Sequence, residues 1–469
     1  MDENNATLRM RRRLLQAAGW SSIGALLPTL GCGGGSDSIG ATASAEAATS
    51  SALGRSVTTA ASVAGTGVSG RVVVVGGGMS GAAAAKYLRL WGGSGVSVTL
   101  VERTPGYTSN IMSNLVLTGQ RSIGSLQFTY GNLASRYGVN RVQGEVVAID
   151  RVNRKVTLAS GAALPYDRLV LAPGVVFTYE PALGGIPGLE TAAAQARVLH
   201  AWQAGTQTTA LRNQITAMPS GGVFVLTIPA KPYRCPPGPY ERACLVADWL
   251  KKNRPGSKVF VLDANPGITA EVHSFTDAFM NVHAGVIEYQ PNVVINSIDA
   301  GTMTVNTNVG SLRANVINAI PPHRAGKVVT DAGLADQGGR WASVNQLSYE
   351  SKVAAGIHVI GDSAGTAQPK AGHIGNQLGK VCADAIVRAF GGLTPDPAPV
   401  TNSACYSPIT FETASWLTAM FQYNPGTRRM SAFTTRAGTN PVVEAPSANK
   451  DNFEQMNKWF RQLMADTYA

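Results

Sequence analysis

The chain has 469 residues, too many for a single hydrophobic core and enough for two or three domains. A content of 44% hydrophobic and 14% charged residues fits a soluble globular protein, and 52 glycines point to many tight turns. The net charge of +11 is spread thinly and includes no dense Lys/Arg run with interleaved aromatics. Nucleic-acid binding is therefore set aside, whereas an acidic protein partner could be steered by such a surface.

Residues 1–32 read as a transport signal, with Arg9, Arg11, Arg12 and Arg13 ahead of an apolar stretch from Leu14 to Leu30. That stretch is broken by Gly19, Gly24 and Pro28 and is too polar to span a bilayer. Met10-Arg11-Arg12-Arg13-Leu14-Leu15-Gln16 resembles the twin-arginine pattern, with Leu14 where that pattern usually has Phe. An ordinary unfolded-export signal is the competing reading. Cys32, after Thr29-Leu30-Gly31, resembles a lipoprotein processing site, while Ala43-Ser44-Ala45 offers a plain cleavage site instead. Residues 33–69, rich in Gly, Ser, Ala and Thr and nearly chargeless, are expected to form a disordered linker.

Folded structure is expected from residue 70. Val72–Val75 is a β-branched run suited to a strand buried on both faces. It leads into Gly76-Gly77-Gly78-Met79-Ser80-Gly81 and an alanine-rich helix, Ala82 to Leu90. In this pattern Gly76 permits the tight turn, Gly78 lets the backbone approach a pyrophosphate, and Gly81 allows close helix-to-strand packing. The phosphates would sit at the positive end of the helix. A second strand, Ser97 to Val101, ends in Glu102, at the spacing of a ribose-binding carboxylate. The pattern predicts a dinucleotide cradle.

The middle of the chain reads as a second α/β domain: helix Ala196–Met218, strand Gly222–Ile228, helix Pro239–Asn253, strand Lys258–Asp263. Its connecting loop, Pro229-Ala230-Lys231-Pro232-Tyr233-Arg234-Cys235-Pro236-Pro237-Gly238, is built of prolines where nicotinamide-binding relatives place glycines. Prolines supply no amide donors, so this loop does not cradle a pyrophosphate in that way. Asp263 is read as structural, and electrons are expected from a donor other than a nicotinamide.

Two further segments favour FAD over NAD. Tyr166–Gly174, containing Ala172 and Gly174, resembles the Ala-Thr-Gly segment of the two-dinucleotide flavoprotein superfamily. Gly356-Ile357-His358-Val359-Ile360-Gly361-Asp362 resembles its second FAD fingerprint. That resemblance implies that Asp362 binds the ribityl chain and that the following helix points its N-terminus at the flavin. From Thr401 the chain is punctuated by Phe411, Trp416, Phe421, Trp459 and Phe460, and a closing helix of about Asn452 to Thr467 carries Phe453, Met456, Phe460 and Met464 on one face.

The fold class expected is α/β, with two Rossmann-like (FAD/NAD(P)-type) domains plus a smaller C-terminal α+β region. The FAD-binding domain is expected in two stretches, 70–190 and 326–400, with the second Rossmann-like domain inserted over 191–325 and the C-terminal region at 401–469. The five cysteines, Cys32, Cys235, Cys244, Cys382 and Cys405, form no CxxC pair and no CxxCH, which gives no zinc ribbon and no covalently attached haem. No metal-ligand spacing and no hydrolase triad are found.

The loop Tyr233 to Arg242 resembles the flavoprotein subunit of flavocytochrome c sulfide dehydrogenase, related to the sulfide:quinone oxidoreductases. So do Ser113-Asn114, Ile320 to Lys327, Gln368-Pro369-Lys370 through Gly379-Lys380, and Ala404-Cys405-Tyr406-Ser407. The resemblance implies a periplasmic FAD enzyme that hands electrons from a small reduced compound to a separate c-type cytochrome subunit. It implies that Cys235 is the first of two redox cysteines and that Glu241 is a carboxylate suited to proton handling. The second cysteine position is Ala364, so the family's disulfide cannot form. Asn110 stands at the flavin-linking cysteine position, so FAD is expected to bind without a covalent bond. Cys244 and Cys382 are the candidates to replace the missing sulfur, against a buried free thiol for each. His373, where relatives often carry an aromatic near the flavin, is a candidate acid or base near neutral pH, against a structural histidine. The C-terminal region is expected to help form the cytochrome-docking side, or only to cap the core. The leading function is a sulfide dehydrogenase-like FAD oxidoreductase. The alternative is a flavin-carrying binding or assembly subunit with little turnover.

Overall fold

The computed structural model describes residues 67–434 and 440–469. The expected export signal, the lipid anchor at Cys32 and most of the linker fall on residues 1–66 and lie outside the described residues. The chain enters through β1 (Gly70–Val75), α1 (Met79–Gly92), β2 (Val96–Glu102), β3 (Asn140–Gln143) and β4 (Arg168–Leu171). It crosses to α2 (Ala192–Arg197), α3 (Thr206–Thr216), β5 (Val223–Ile228), α4 (Gly238–Asn253), β6 (Lys258–Asp263), β7 (Ile287–Gln290) and β8 (Val316–Ala319). It returns with β9 (Ile357–Val359) and α5 (Gly372–Phe390), then ends with β10 (Val400–Pro408), β11 (Ala414–Asn424), β12 (Arg429–Ala432), β13 (Val442–Glu444) and α6 (Lys450–Tyr468).

The first sheet has the order β9-β4-β1-β2-β3, extended beyond β9 by a short antiparallel hairpin, Val344–Asn345 and Glu350–Ser351. β1 pairs in parallel with β2 on one side and β4 on the other, which is why Val72 to Val75 are buried. Each such valine stabilises the sheet by roughly 1.5–3 kcal/mol. The helix beside it can be alanine-rich because α5 lies close against it. A Cβ at Gly379 would come within 2.5 Å of the Ser80 carbonyl oxygen, so only small residues fit this seam. The second sheet, β7-β6-β5-β8, is wholly parallel and matches a Rossmann-like half.

One element departs from expectation. The helix expected over Ala196–Met218 is two helices, α2 and α3, separated by residues 198–205. Gly205 lies at φ 153, and the His200 and Ala201 carbonyls accept from the Arg242 guanidinium at 2.8 Å each. Arg242 also lies 4.6 Å from the Trp202 ring centroid. The buried charge therefore takes the two carbonyls out of any helical ladder and holds the connecting loop open.

The C-terminal segment is an antiparallel sheet in which β11 pairs with β10, β12 and β13. α6 closes over α1: Lys86 Nζ donates to the Asp466 and Ala469 carbonyls, and Lys380 pairs with Asp466 at 2.9 Å. Tyr468 stacks on Tyr107 and Phe128 and donates its hydroxyl to the Gly77 carbonyl at 3.2 Å.

Candidate active site

A large cavity of about 1140 Å³ runs between the first sheet, the start of α4 and the C-terminal sheet. It lies slightly above the usual range for small-molecule sites, which suits an extended ligand. Gly76, Gly78, Glu102, Ala172, Gly174, Gly361 and Asp362 line it, and so do Cys235, Glu241 and His373. Gly81 alone of the expected positions is off the wall. A Cβ there would lie 1.9 Å from the Gly76 carbonyl oxygen, so its hydrogen lets α1 start directly behind the turn.

The nucleotide end follows from the backbone. Gly76 turns at φ 101, and a Cβ would strike the Ala172 carbonyl at 2.4 Å. Gly78 faces open space, with only Tyr107 at 4.0 Å, the gap a pyrophosphate needs. Glu102 Oε2 accepts from the Gly77 amide at 2.7 Å and Oε1 from the Thr104 amide and hydroxyl at 3.0 Å each. The carboxylate is thus fixed at the cavity edge, with lone pairs left for ribose hydroxyls. Ala371, Gly372 and His373, at the start of α5, face the other end, so the positive pole of that helix points into the cavity. Lys370 Nζ donates to the Asp362 and Ala364 carbonyls at 2.7 and 2.9 Å and clamps the turn carrying Asp362. The indole N–H of Trp459, on the same wall, is buried without a partner and is a donor available to a bound group. The residues present fit FAD.

The chemical end gathers around Cys235. Its φ is 59, an uncommon conformation for a residue with a side chain, and its amide donates to the Lys370 carbonyl at 2.7 Å. Gly238 makes room for the sulfur: a Cβ there would lie 2.8 Å from Cys235 Sγ. Burial, aided by the charge of Glu241, pushes the thiol up to about 12, so at rest it holds its proton. Burial also pushes Glu241 up to about 7, restrained by a hydrogen bond from Asn114 Nδ2 to Oε1 at 2.9 Å and by the Arg242 charge. Asn114 is oriented in turn, its Oδ1 accepting from Arg242 Nε at 2.9 Å. Near neutral pH Glu241 exists in both protonation states, as a proton-transfer group requires.

His373 is a correction. Its Nδ1 accepts from the Ala404 amide at 3.0 Å, and burial pushes the ring down to about 4, so it does not titrate near neutral pH. Cys244 and Cys382 follow the buried-thiol alternative. Cys382 is fully buried in the core of the first sheet and Cys244 in that of the second, and neither lines the cavity. Cys405, on β10, does line it. Burial, with the charges of Cys235 and Glu271 added, raises its thiol. The sequence pattern gives Cys405, Asn114 and Trp459 no site role of their own. The Ser113-Asn114 and Ala404-to-Ser407 stretches were the signals present. Asn110 Oδ1 accepts from the Ala204 amide at 2.8 Å and so holds the 198–205 loop. Asp263 is consumed internally, accepting from Tyr240 Oη at 2.7 Å, Tyr289 Oη at 3.0 Å and the Asn265 amide at 2.8 Å.

Residues 70–215 match the pyridine nucleotide-disulphide oxidoreductase family. Residues 208–321 match the central part of the sulfide dehydrogenase [flavocytochrome c] flavoprotein chain, and 397–468 the flavocytochrome c sulphide dehydrogenase flavin-binding family. The fold is similar to the sulfide:quinone oxidoreductase of Aquifex aeolicus, with TM-score 0.68 at 18% identity, covering 85% of this chain and 91% of that one. It is also similar to the ferredoxin reductase of the CYP199A2 system from Rhodopseudomonas palustris, with TM-score 0.58 at 18% identity over 83% and 93% of the two chains. The NADH dehydrogenase-like protein MT1860 of Mycobacterium tuberculosis is 39% identical over 67 residues. That match takes in 14% of this chain and only 16% of the relative's length.

Proposed function

We propose that this chain, a flavocytochrome c sulfide dehydrogenase flavoprotein-like protein and an FAD-dependent oxidoreductase, oxidises a small reduced sulfur compound at Cys235 and passes the electrons to a separate c-type cytochrome or other periplasmic acceptor. The observation that carries this reading is the meeting of a thiol and a carboxyl held at about 7, Cys235 and Glu241, in the wall that also bears the glycine turn, Glu102 and Asp362. FAD, when bound, supplies a two-electron acceptor. The chain's own residues do the rest. Gly76 to Ser80 and the start of α1 hold the pyrophosphate, Glu102 the ribose, and Asp362 the ribityl chain. Glu241 takes a proton from Cys235 or from the entering substrate, and Asn114 keeps the accepting oxygen in place. Asn110 has no sulfur to form a bond with the flavin, so FAD is held non-covalently. The sequence contains no CxxCH, which is consistent with a haem carried by a separate partner. Export in the folded state through the twin-arginine-like leader, with Cys32 as a lipid anchor, belongs to the same reading.

A second reading has one observation in its favour. Ala364, at the family's second cysteine position, carries no sulfur and is buried behind the wall, bridged to Ala342. A flavin-carrying binding or assembly subunit with little turnover would need none. Anaerobic titration of the purified protein with sulfide, thiols and sulfite separates the two. Bleaching of the flavin by sulfide that is lost in Cys235→Ser supports sulfur oxidation. No bleaching by any of the three supports the second reading.

A further inference from the structure

The cavity wall carries a second sulfur besides that of Cys235. Cys405 faces the same cavity as Cys235, although the two come from different layers of the molecule. Both are tied to one turn. The Cys235 amide donates to the Lys370 carbonyl at 2.7 Å, and the amide of Ala404, the neighbour of Cys405, donates to His373 Nδ1 at 3.0 Å. Residues 370–373 thus anchor both sulfur-bearing segments. Burial raises the Cys405 thiol first, and a charge on Cys235 adds to that rise. Glu241, in the first turn of α4, lines the same cavity and can carry a proton. No comparable placement holds for Cys244 or Cys382.

We propose that Cys235 and Cys405 form an exchangeable dithiol/disulfide pair in the cavity wall, reacting with small disulfide compounds. This deepens the oxidoreductase reading and rests on it for the physiological substrate. The step balances without any further oxidant. Glu241 accepts the Cys235 proton, and the sulfur attacks one sulfur of the small disulfide, forming a mixed disulfide and expelling a thiolate that takes the proton from Glu241. The Cys405 sulfur then attacks Cys235, forming the Cys235–Cys405 bond and releasing the second small thiol with the proton that Cys405 gives up. Two protein thiols are oxidised, and one external disulfide is reduced to two thiols.

The test uses the full chain, reduced, desalted and kept anaerobic, with 4,4′-dithiodipyridine as the probe. The expected result is release of two thiopyridones for the pair, no pyridyl label on either residue, and a peptide cross-linking Cys235 to Cys405 by mass spectrometry. Cys405→Ser and Cys405→Ala should each release one thiopyridone and keep the label on Cys235. A wild-type protein that retains the label on Cys235, or whose two thiols react only after denaturation, overturns the proposal. Because the wild-type readout needs no variant, a folding defect in either substitution does not decide it. The assay reads mass and thiol release, not flavin, so failure of sulfide to bleach the flavin would sink the proposed function and leave this pair standing.

Discussion

Asn114 donates to Glu241 while accepting from Arg242, so one amide fixes the carboxyl of the chemical end against the buried cation beside it. The amide favours the charged carboxylate, and burial opposes it. Asn114→Ala removes the hydrogen bond and leaves the burial. The apparent pKa assigned to Glu241 should rise from about 7, by roughly one unit for a bond to a charged group. The pH profile of sulfide-dependent flavin bleaching checks this. An unchanged midpoint would mean that Glu241 does not set it.

The two glycines of the turn should fail in different ways. Gly81→Ala places a methyl group 1.9 Å from a backbone oxygen, so the variant should lose several degrees of melting temperature with or without FAD. At Gly78 the only neighbour is Tyr107 at 4.0 Å, so Gly78→Ala should melt close to wild type without nucleotide but retain less FAD through purification. Thermal melts beside flavin-to-protein absorbance ratios give both answers. A Gly78→Ala protein with full flavin content would move the pyrophosphate elsewhere.

Stability should fall on acidification through the histidines. Burial pushes His200 and His323 down to about 3, and His283, His358 and His373 to about 4. Their ordinary value is 6.5, so below it the unfolded chain binds protons that the folded chain refuses. The histidine contribution to stability is therefore full above about 6.5 and is lost as pH falls towards 3 to 4. Glu271 works in the opposite sense. One oxygen accepts from Ser407 Oγ at 2.7 Å, the other is buried without a partner, and burial pushes the group up to about 8. The folded chain keeps that proton, so stability declines as pH rises from about 4.5 to 8, and Glu271→Gln should flatten this limb. Denaturant midpoints across the pH range measure both slopes.

Wild-type protein precipitated with acid should release all of its flavin to the supernatant, because Asn110 offers no sulfur for a bond. Asn110→Cys should also weaken the anchoring of the 198–205 loop, since the hydrogen bond from Ala204 is lost. Yellow colour remaining in the wild-type pellet would contradict non-covalent binding.

The regions of the molecule legible in the sequence are those fixed by backbone chemistry and short-range pattern. Val72–Val75 and the glycines after it announce a buried strand and a tight turn, and the prolines of 229–237 announce a loop with few donors. What was not legible depends on contacts between distant residues. The break between α2 and α3 is made by Arg242, which lies on α4 and leaves no trace in the helical pattern it interrupts. Likewise, the pairing of Cys235 with the wall that bears Cys405 comes from the C-terminal sheet folding back over the cavity. The apolar helical settings of Cys244 and Cys382 point to buried free thiols, and the two lie in separate cores. His373 lines the cavity, but no sequence feature reveals the Ala404 amide that occupies its Nδ1.

The hydroxyl of Tyr468 on the Gly77 carbonyl has a bearing on biosynthesis. The glycine turn after β1 emerges early from the ribosome, whereas the aromatic prop behind it belongs to the final helix. A chain truncated before Tyr468 would present the glycines without this support, and such products should be recognisable by their lack of colour.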